Sequence, residues 1–254
     1  MNGAFEVGAA ALRAEQRALE MHANNIANVN TPSFKRTDPR FAEVLARNAD
    51  GTDGAAPDTP VAFGGVRVVP GEMLFTQGEL RSSGNPLDLA ISGRGMIELM
   101  GPGGTNLLWR GGRLRVNDDG LLATADGNAL RAGVIVPSDT EELAIGADGV
   151  VTAKTSSGET VEIGQIGLVT TDNEFGLERL DNGFYQALDG TRLSDARPGE
   201  DGAGTLAQGS VEQSNVELTA EMVSMMMVQR AFAADAQIVQ AADQLASITN
   251  SLKR

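Results

Sequence analysis

The fold of this chain is decided by its C-terminal stretch, residues 214–254, which has the sequence SNVELTAEMVSMMMVQRAFAADAQIVQAADQLASITNSLKR. This stretch contains neither Pro nor Gly, and Ser214 with Glu217 fits the S-x-x-E pattern that caps the start of a helix. Apolar residues recur at the a and d positions of about four heptads, which predicts one long helix with an apolar stripe. The stripe positions are Met227, Ala231, Ala234, Ile238, Ala241, Leu245, Ile248 and Leu252. A single helix cannot bury its own stripe, so this one needs a partner.

A second amphipathic pattern lies at the opposite end of the chain. Its heptad-spaced residues are Phe5, Leu12, Leu19 and Ile26, and the residues that widen the stripe are Ala9 and Ala23. We therefore predict two terminal helices that form a coiled-coil layer, with everything else strung between them. Because many stripe positions are Ala, such a pair buries little apolar area and gains most when many copies pack side by side. The alternative is a two-helix clamp on the outside of an ordinary globular protein.

The composition narrows the classes of protein that fit this sequence. Among 254 residues there are 31 Gly, which favours a turn-rich β region between the helices. The formal net charge of −14 argues against nucleic acid as a partner, because phosphate binding needs a basic face. The sequence has no Cys, which excludes disulfides and thiol chemistry. We expect neither a cleavable signal peptide nor a membrane span, because no continuous apolar stretch is long enough.

The first helix is expected to end near residue 30, because Pro32 disfavours the helical conformation at Thr31. Side-chain amides are concentrated before that end, at Asn24, Asn25 and Asn28. Asn competes for backbone hydrogen bonds and is disfavoured inside helices. These amides therefore mark either a frayed helix end or a set of bonds to a neighbouring chain.

The same region carries a family resemblance. The run ANNIANVNTPSFKR, residues 23–36, resembles the N-terminal signature of the bacterial flagellar rod and hook proteins, with Ser33 where that family usually has Gly. The block GNPLDLAISGRGMIEL, residues 84–99, is also similar to the family, with Met96 and Ile97 replacing an aromatic pair. Further similar blocks are LLWRGGRLRVNDDGLLATADGNAL, residues 107–130, and GTLAQGSVEQSNVELTAEMV, residues 204–223. Residues 135–153 and 161–185 most resemble the distal branch of the family.

The pattern of the sequence predicts an α+β fold with four parts. We expect an N-terminal helix at 1–30, a connector at 31–75, a Gly-rich all-β domain at 76–213 and a C-terminal helix at 214–254. In the connector, the signature turn is followed by a short helix over 39–47 and then by extended β-rich chain, because Phe41, Val44 and Leu45 share one helical face. In the β domain, Asp119-Gly120 and Asp126-Gly127 predict hairpins, and residues 189–208 are expected to form a loop.

The sequence contains no recognisable catalytic motif. His22 is the single histidine, and its place in the first helix favours a packed or hydrogen-bonded side chain over a catalyst. With one His and no Cys, neither a familiar zinc site nor a Cys-His pair can form, and we predict no catalytic residue, metal or cofactor. A pair of carboxylates in the β domain leaves open a hydrolase or a carbohydrate binder as a second class of function.

The resemblance implies a structural role. It implies a subunit of the basal-body rod that polymerises into a hollow axial shaft and transmits motor torque across the periplasm to the hook. It implies as partners further copies of this chain, other rod proteins, the hook, the surrounding P and L ring proteins and the flagellar type III export apparatus. A proximal rod or hook subunit of the same family is the alternative. The assembly interface would consist of the stripe residues of both helices together with Asn24, Asn25 and Asn28.

Overall fold

Helices form the two ends of the chain, and strands are the main regular structure of the described residues between them. The computed structural model describes residues 2–45, 63–69, 71 and 73–252. Helix α1 is Asn2–Ala27 and helix α2 is Leu218–Leu252. The described chain between them contains strands and three short 3-10 turns, so the predicted α+β class with a β-rich centre is confirmed.

The chain divides into two compact units. The helical unit takes its described residues from 1–29, 36–74 and 216–254. The β unit consists of residues 30–35 and 75–215. The family signature is thus divided between the units, because residues 30–35 belong to the β unit while the flanking residues belong to the helical unit.

The helical unit contains a strand pair where a short helix was predicted. Strand β1 is Arg40–Leu45 and strand β2 is Phe63–Val69, and they pair antiparallel with Phe41 opposite Val68. The expected helix over 39–47 is therefore wrong for the residues that the structure describes, and residues 46 and 47 lie outside them. The apolar residues of β1 do fall on one helical face, but pairing with β2 gives partners to the backbone groups by which the two strands face each other, and aromatic and β-branched side chains suit strands.

The β unit is built from sixteen described strands, all of which pair antiparallel. They are β3 Leu80–Ser82, β4 Asp88–Ser92, β5 Ile97–Met100, β6 Asn106–Trp109, β7 Gly111–Val116, β8 Leu122–Thr124, β9 Ala129–Leu130, β10 Thr140–Ile145, β11 Val150–Thr155, β12 Thr160–Gln165, β13 Leu168–Thr171, β14 Leu177–Arg179, β15 Phe184–Ala187, β16 Leu193–Ala196, β17 Thr205–Gln208 and β18 Ser210–Glu212. Nine of them form one sheet in the order β14-β15-β6-β5-β9-β8-β7-β4-β17. The other sheets are β10-β11-β12, β13-β16 and β18-β3.

The core of the β unit lies among these sheets. Its buried apolar side chains come from strands throughout the unit and include Leu89, Ile91, Ile97, Leu99, Trp109, Leu114, Leu122, Leu130, Val151, Ile166, Leu168, Phe184 and Leu206. Trp109, the single tryptophan of the sequence, is 6% exposed and so reports on the packing of this core.

The turns of the β unit confirm one prediction and correct another. Gly120 lies between β7 and β8 with φ 77°, and Gly127 lies between β8 and β9 with φ 95°, so both Asp-Gly pairs form the predicted hairpin turns. The expected loop over 189–208 is wrong in part, because it contains β16 and β17. Strand β17 pairs with β4, with Thr205 opposite Ser92, and a partner so distant in sequence leaves no local signal.

Candidate assembly surface and buried ionic centres

Small residues bring α1 and α2 together in the helical unit. Ala14 and Ala18 are 3% and 0% exposed, and Met21 and Val228 pack against them. A Cβ atom placed on Gly8 would lie 2.5 Å from Cγ2 of Val239, so the glycine allows the two helices to approach closely. The contact between the helices therefore depends on close backbone approach more than on large apolar side chains.

A buried polar cluster, the Glu221 centre, joins the end of α1 to the start of α2. Glu221 is 2% exposed, and its Oε2 lies 2.6 Å from Nδ1 of His22. Asn25 donates to the same oxygen at 3.3 Å, and Arg36 donates to Oε1 at 3.3 Å. Such charge-assisted bonds are the strong kind in a buried setting, so one carboxylate orients three segments of the chain. His22 is thus a hydrogen-bonded side chain, as its position in the helix predicted.

Asn25 also fixes the chain that follows α1. Its Nδ2 donates to the backbone oxygen of Thr37 at 2.8 Å, and its Oδ1 accepts from the backbone nitrogen of Thr37 at 3.1 Å. Asn25 is 1% exposed and its amide bonds to its own chain, so neither alternative from the sequence, a frayed helix end or bonds to a neighbouring chain, describes its contacts in this structure. Asn24 is exposed, and half-buried Asn28 donates to the backbone oxygen of Asn24 at 2.9 Å.

The predicted stripe of α2 faces solvent in the isolated chain. Met227, Ile238, Leu245 and Ile248 are 59%, 65%, 65% and 55% exposed. The smaller stripe residues are exposed as well, at Ala231, Ala234 and Ala241. The expectation that this stripe would pack on α1 is therefore wrong within one chain, because α1 contacts another side of α2, at Val228 and Val239. Leu252 lies in the last turn of α2.

The predicted stripe of α1 is only partly covered. Leu12, Leu19 and Ile26 are half-buried, while the fully buried side of α1 is formed by Ala14, Ala18 and polar residues. Phe5 lies in the first turns of the same helix. The side of α1 that is buried in the helical unit thus consists of small and polar residues and differs from the predicted apolar stripe. Heptad spacing did not predict this buried side.

One carboxylate between the helices has no hydrogen-bond partner among the residues that the structure describes. Glu15 of α1 is 8% exposed, and its Oε2 accepts no hydrogen bond from them. Burial raises the pKa of Glu15, and the like charge of half-buried Asp235 on α2 raises that pKa further. The contact between the helices thus brings two like charges close enough to affect each other.

A second buried cluster, the Glu212 centre, lies within the β unit. Lys35, Glu212 and Arg110 are 0%, 1% and 4% exposed. Nζ of Lys35 lies 2.6 Å from Oε1 of Glu212, and Nε of Arg110 lies 3.0 Å from Oε2. The backbone nitrogen of Gly78 donates to Oε1 at 2.9 Å, and Nζ of Lys35 also donates to the backbone oxygen of Thr76 at 2.9 Å. Glu212 therefore serves as the shared counter-charge of two buried cations.

Opposing electrostatic effects act on the pKa of Lys35 at the Glu212 centre. Burial lowers the pKa of Lys35 and Arg110 lowers it further, while the charge of Glu212 and its hydrogen bond raise it. Lys35 would lose its proton to burial more readily without Glu212. Each charged member comes from a different block of the family resemblance, so three separate sequence blocks meet at one buried point. No role was predicted for these residues from the sequence, where the available signal was a charged residue in each block.

Ser33 occupies a backbone position that favours glycine. Its φ is 57°, in the left-handed region, and its backbone nitrogen donates to the backbone oxygen of Glu212 at 2.8 Å. A glycine, which the resemblance predicts at this position, would adopt this conformation without strain. The turn is kept in this chain by the bond to β18 and by burial of the Ser33 side chain.

The β unit also contains a cavity of about 520 Å³. Its apolar floor includes Ile97, Leu130 and Ile166. At its edge, Arg131 pairs with Glu98 and, at 3.2 Å, with Asp195, so these charges are engaged with one another. Among the residues that the structure describes, no group of three or more His, Cys, Asp or Glu could hold a metal ion. No described helix is long and apolar enough to cross a membrane.

These features define a class of protein: an α+β chain whose two ends pair as helices and whose C-terminal helix leaves a wide apolar stripe uncovered. Comparison with protein families finds three matches along the chain. Residues 5–35 match a family described as flagella basal body rod protein. Residues 90–153 match the flagellar hook protein FlgE/F/G D1 domain, and residues 207–252 match the flagellar basal body rod FlgEFG protein C-terminal family.

Curated relatives match over almost the full length. The chain is 32% identical to the flagellar basal-body rod protein FlgG of Caulobacter vibrioides, with 98% of this chain and 99% of the relative covered. It is 30% identical to FlgG of Borreliella burgdorferi, with both chains fully covered, and 30% identical to FlgF of C. vibrioides, with 91% of this chain and 90% of the relative covered. The chain therefore belongs to the flagellar basal-body rod protein family.

Proposed function

We propose that this chain is a structural subunit of the flagellar basal-body rod, which polymerises into a hollow axial shaft and transmits motor torque across the periplasm to the hook. The observation that carries the proposal is the uncovered stripe of α2. Large apolar side chains that are more than half exposed on one helix face mark an interaction surface. Full-length similarity to relatives named as rod proteins supports the same role.

The stripe is suited to a coiled-coil layer built from many copies. Each large stripe side chain gains roughly 1–2 kcal/mol when its exposed part is buried, so the gain comes only when a neighbouring helix covers it. The contact between α1 and α2 uses a different side of α2, so one chain can keep its helix pair and still present the stripe to a neighbour. A continuous heptad pattern on the free side is what a multi-helix layer requires.

The same proposal names the surroundings of the chain. Its partners are other copies of itself, the remaining rod proteins, the hook, the P and L ring proteins that surround the rod, and the type III apparatus that exports it. Similarity to FlgG over the whole chain favours the distal rod over the proximal rod or the hook, although FlgF matches at similar identity. We propose no enzymatic activity and no cofactor.

The second class of function, a hydrolase or carbohydrate binder, would need to use the cavity of the β unit. That cavity carries acids and arginines, but Arg131 is paired with Glu98 and Asp195, and His22 belongs to the helical unit. The stripe of α2 would serve no purpose in such a protein. The observations therefore favour the structural role.

The test replaces one apolar stripe residue by an aspartate, in a bacterial strain that produces only this variant of the chain. Ile238→Asp is expected to abolish rods and swimming, because burial of an unpaired carboxylate in an assembled layer costs several kcal/mol. In the isolated chain, helix content measured by circular dichroism should be unchanged, because Ile238 is 65% exposed there. The matched control is Gln240→Asp, an exposed position about 200° around the same helix, which should leave rods intact. Normal rods in the Ile238→Asp strain would refute the proposed stripe.

A further inference from the structure

We propose that Glu15 and Asp235 form an acceptor site for an arginine side chain of a neighbouring copy of this chain. The inference rests on the proposed function, because it names one contact between adjacent subunits. It starts from an unsatisfied group inside the helical unit, since Glu15 is 8% exposed and its Oε2 has no hydrogen-bond partner among the described residues.

The part of the chain that the structure describes pairs no cation with either carboxylate. Among the residues that the structure describes, no Lys, Arg or His forms an ion pair with Glu15 or Asp235, whereas the nearby Glu221 carboxylate has both His22 and Arg36. Two like charges in a largely buried contact are costly unless a positive group is added. The raised pKa of Glu15 reflects the same lack of compensation. A guanidinium bound to half-buried Asp235 would offset both charges.

The helices also carry exposed basic groups that have no ion-pair partner in the described ranges 2–45, 63–69 and 73–252. Arg13, Arg17 and Arg230 are exposed, and none forms an ion pair with another described residue. The carboxylates and the guanidinium groups therefore belong to the same helical unit, and neither set is paired with a residue of the described part of that unit.

Helix geometry places these groups on opposite sides. Arg13 and Arg17 each lie two residues from Glu15, so they are about 200° around α1 from it. Arg230 lies five residues before Asp235, about 140° away on α2, and one turn before the exposed stripe residue Ala234. Among the residues that the structure describes, none of these arginines pairs with the carboxylates of its own chain, so the guanidinium that faces them comes from a neighbouring copy.

Complementary groups on opposite sides suit a head-to-tail contact, the type that builds open helical polymers. The occupant is thus a second copy of this chain, and the recognised group is a guanidinium, which matches a carboxylate better than a lysine ammonium does. Arg230 lies beside the stripe of α2, which is buried between subunits in the proposed assembly. Packing of the stripe against a neighbouring subunit would therefore also bring Arg230 close to that subunit.

The experiment measures how fast subunits leave rods in isolated basal bodies at a fixed urea concentration. Glu15→Gln with Asp235→Asn is expected to raise the dissociation rate about tenfold, a change equivalent to about 1.4 kcal/mol. The matched control, Glu20→Gln with Asp243→Asn, removes two charges from exposed positions on the same helices and should leave the rate unchanged. Circular dichroism of the purified chain is expected to show no loss of helix stability in Glu15→Gln with Asp235→Asn, because a buried like-charge pair has been neutralised.

A double-mutant cycle identifies the partner. Changing Arg13, Arg17 and Arg230 to Gln should raise the dissociation rate to a similar extent, and combining both sets should add little, because either set removes the same contact. Additive effects, or a carboxylate variant that dissociates like the wild type, would overturn the arginine contact and leave the rod assignment intact. Absence of the wild-type chain from isolated rods would instead overturn the proposed function, and this contact with it.

Discussion

Replacing Glu212 with Gln should destabilise the β unit far more than replacing Lys35 with Met. Glu212→Gln keeps the shape of the side chain but removes the counter-charge of Lys35 and Arg110, which are 0% and 4% exposed. Lys35→Met keeps most of the side-chain volume and leaves Arg110 and Glu212 as a neutral pair. The two substitutions therefore separate the loss of a charge balance from the loss of a single hydrogen-bonding group.

The magnitudes follow from the contacts of the Glu212 centre. Removing one partner from a buried ionic cluster costs about 3–5 kcal/mol, because uncompensated charge stays behind. Glu212→Gln leaves two buried cations, with Nζ and Nε that had been 2.6 and 3.0 Å from the carboxylate. Lys35→Met removes one cation, and the backbone oxygen of Thr76 still accepts from Asn215 at 3.0 Å. The expected cost of Lys35→Met is about 1–2 kcal/mol.

The assay uses the single tryptophan of the chain. Trp109 is buried in the β unit, so its fluorescence during urea unfolding reports on that unit. With a slope of about 2 kcal/mol per molar urea, Glu212→Gln should lower the midpoint by roughly 2 M and Lys35→Met by less than about 1 M. Equal midpoints for the two variants, or a Glu212→Gln midpoint close to that of the wild type, would refute a charge balance centred on Glu212.

Two further predictions concern the β unit. Tyr185 is the single tyrosine, and its burial, opposed by Arg179 and Arg110, raises its pKa to about 12, so ultraviolet titration of the folded chain should show the phenolate only near that pH. Because the folded chain keeps a proton that the unfolded chain loses above a pH of about 10, stability should fall as the pH rises from about 10 to about 12, and a titration near pH 10 would contradict the burial. Gly78→Ala should lower the free energy of unfolding by about 1–3 kcal/mol, and so the urea midpoint by about 0.5–1.5 M, because its Cβ would lie 2.0 Å from the backbone oxygen of Gln213. Gly167→Ala is the control, since its Cβ meets nothing nearer than 4.0 Å, and equal midpoints would refute the steric argument.

Local pattern was sufficient for the features whose cause is local. Heptad spacing and the absence of Pro and Gly predicted α2, and Pro32 predicted the end of α1 to within a few residues. Asp-Gly pairs predicted two hairpin turns, because that dipeptide accommodates positive φ without help from the rest of the fold. Blocks of residues typical of rod proteins indicated the family, which the comparisons then showed.

Tertiary structure alone decided the features that depend on distant partners. Strand β1 replaced a predicted helix because β2 supplies its hydrogen bonds, and β17 formed in an expected loop because β4 lies beside it. The side of α2 that meets α1 was set by the close approach at Gly8 and by the Glu221 centre. Heptad spacing detects apolar positions and gives no information about either contact. Lys35, Arg110 and Glu212 are far apart in sequence, and only folding brings their charges within bonding distance. Periodicity records which side of a helix is apolar, whereas the identity of its partner depends on the three-dimensional arrangement of the whole chain.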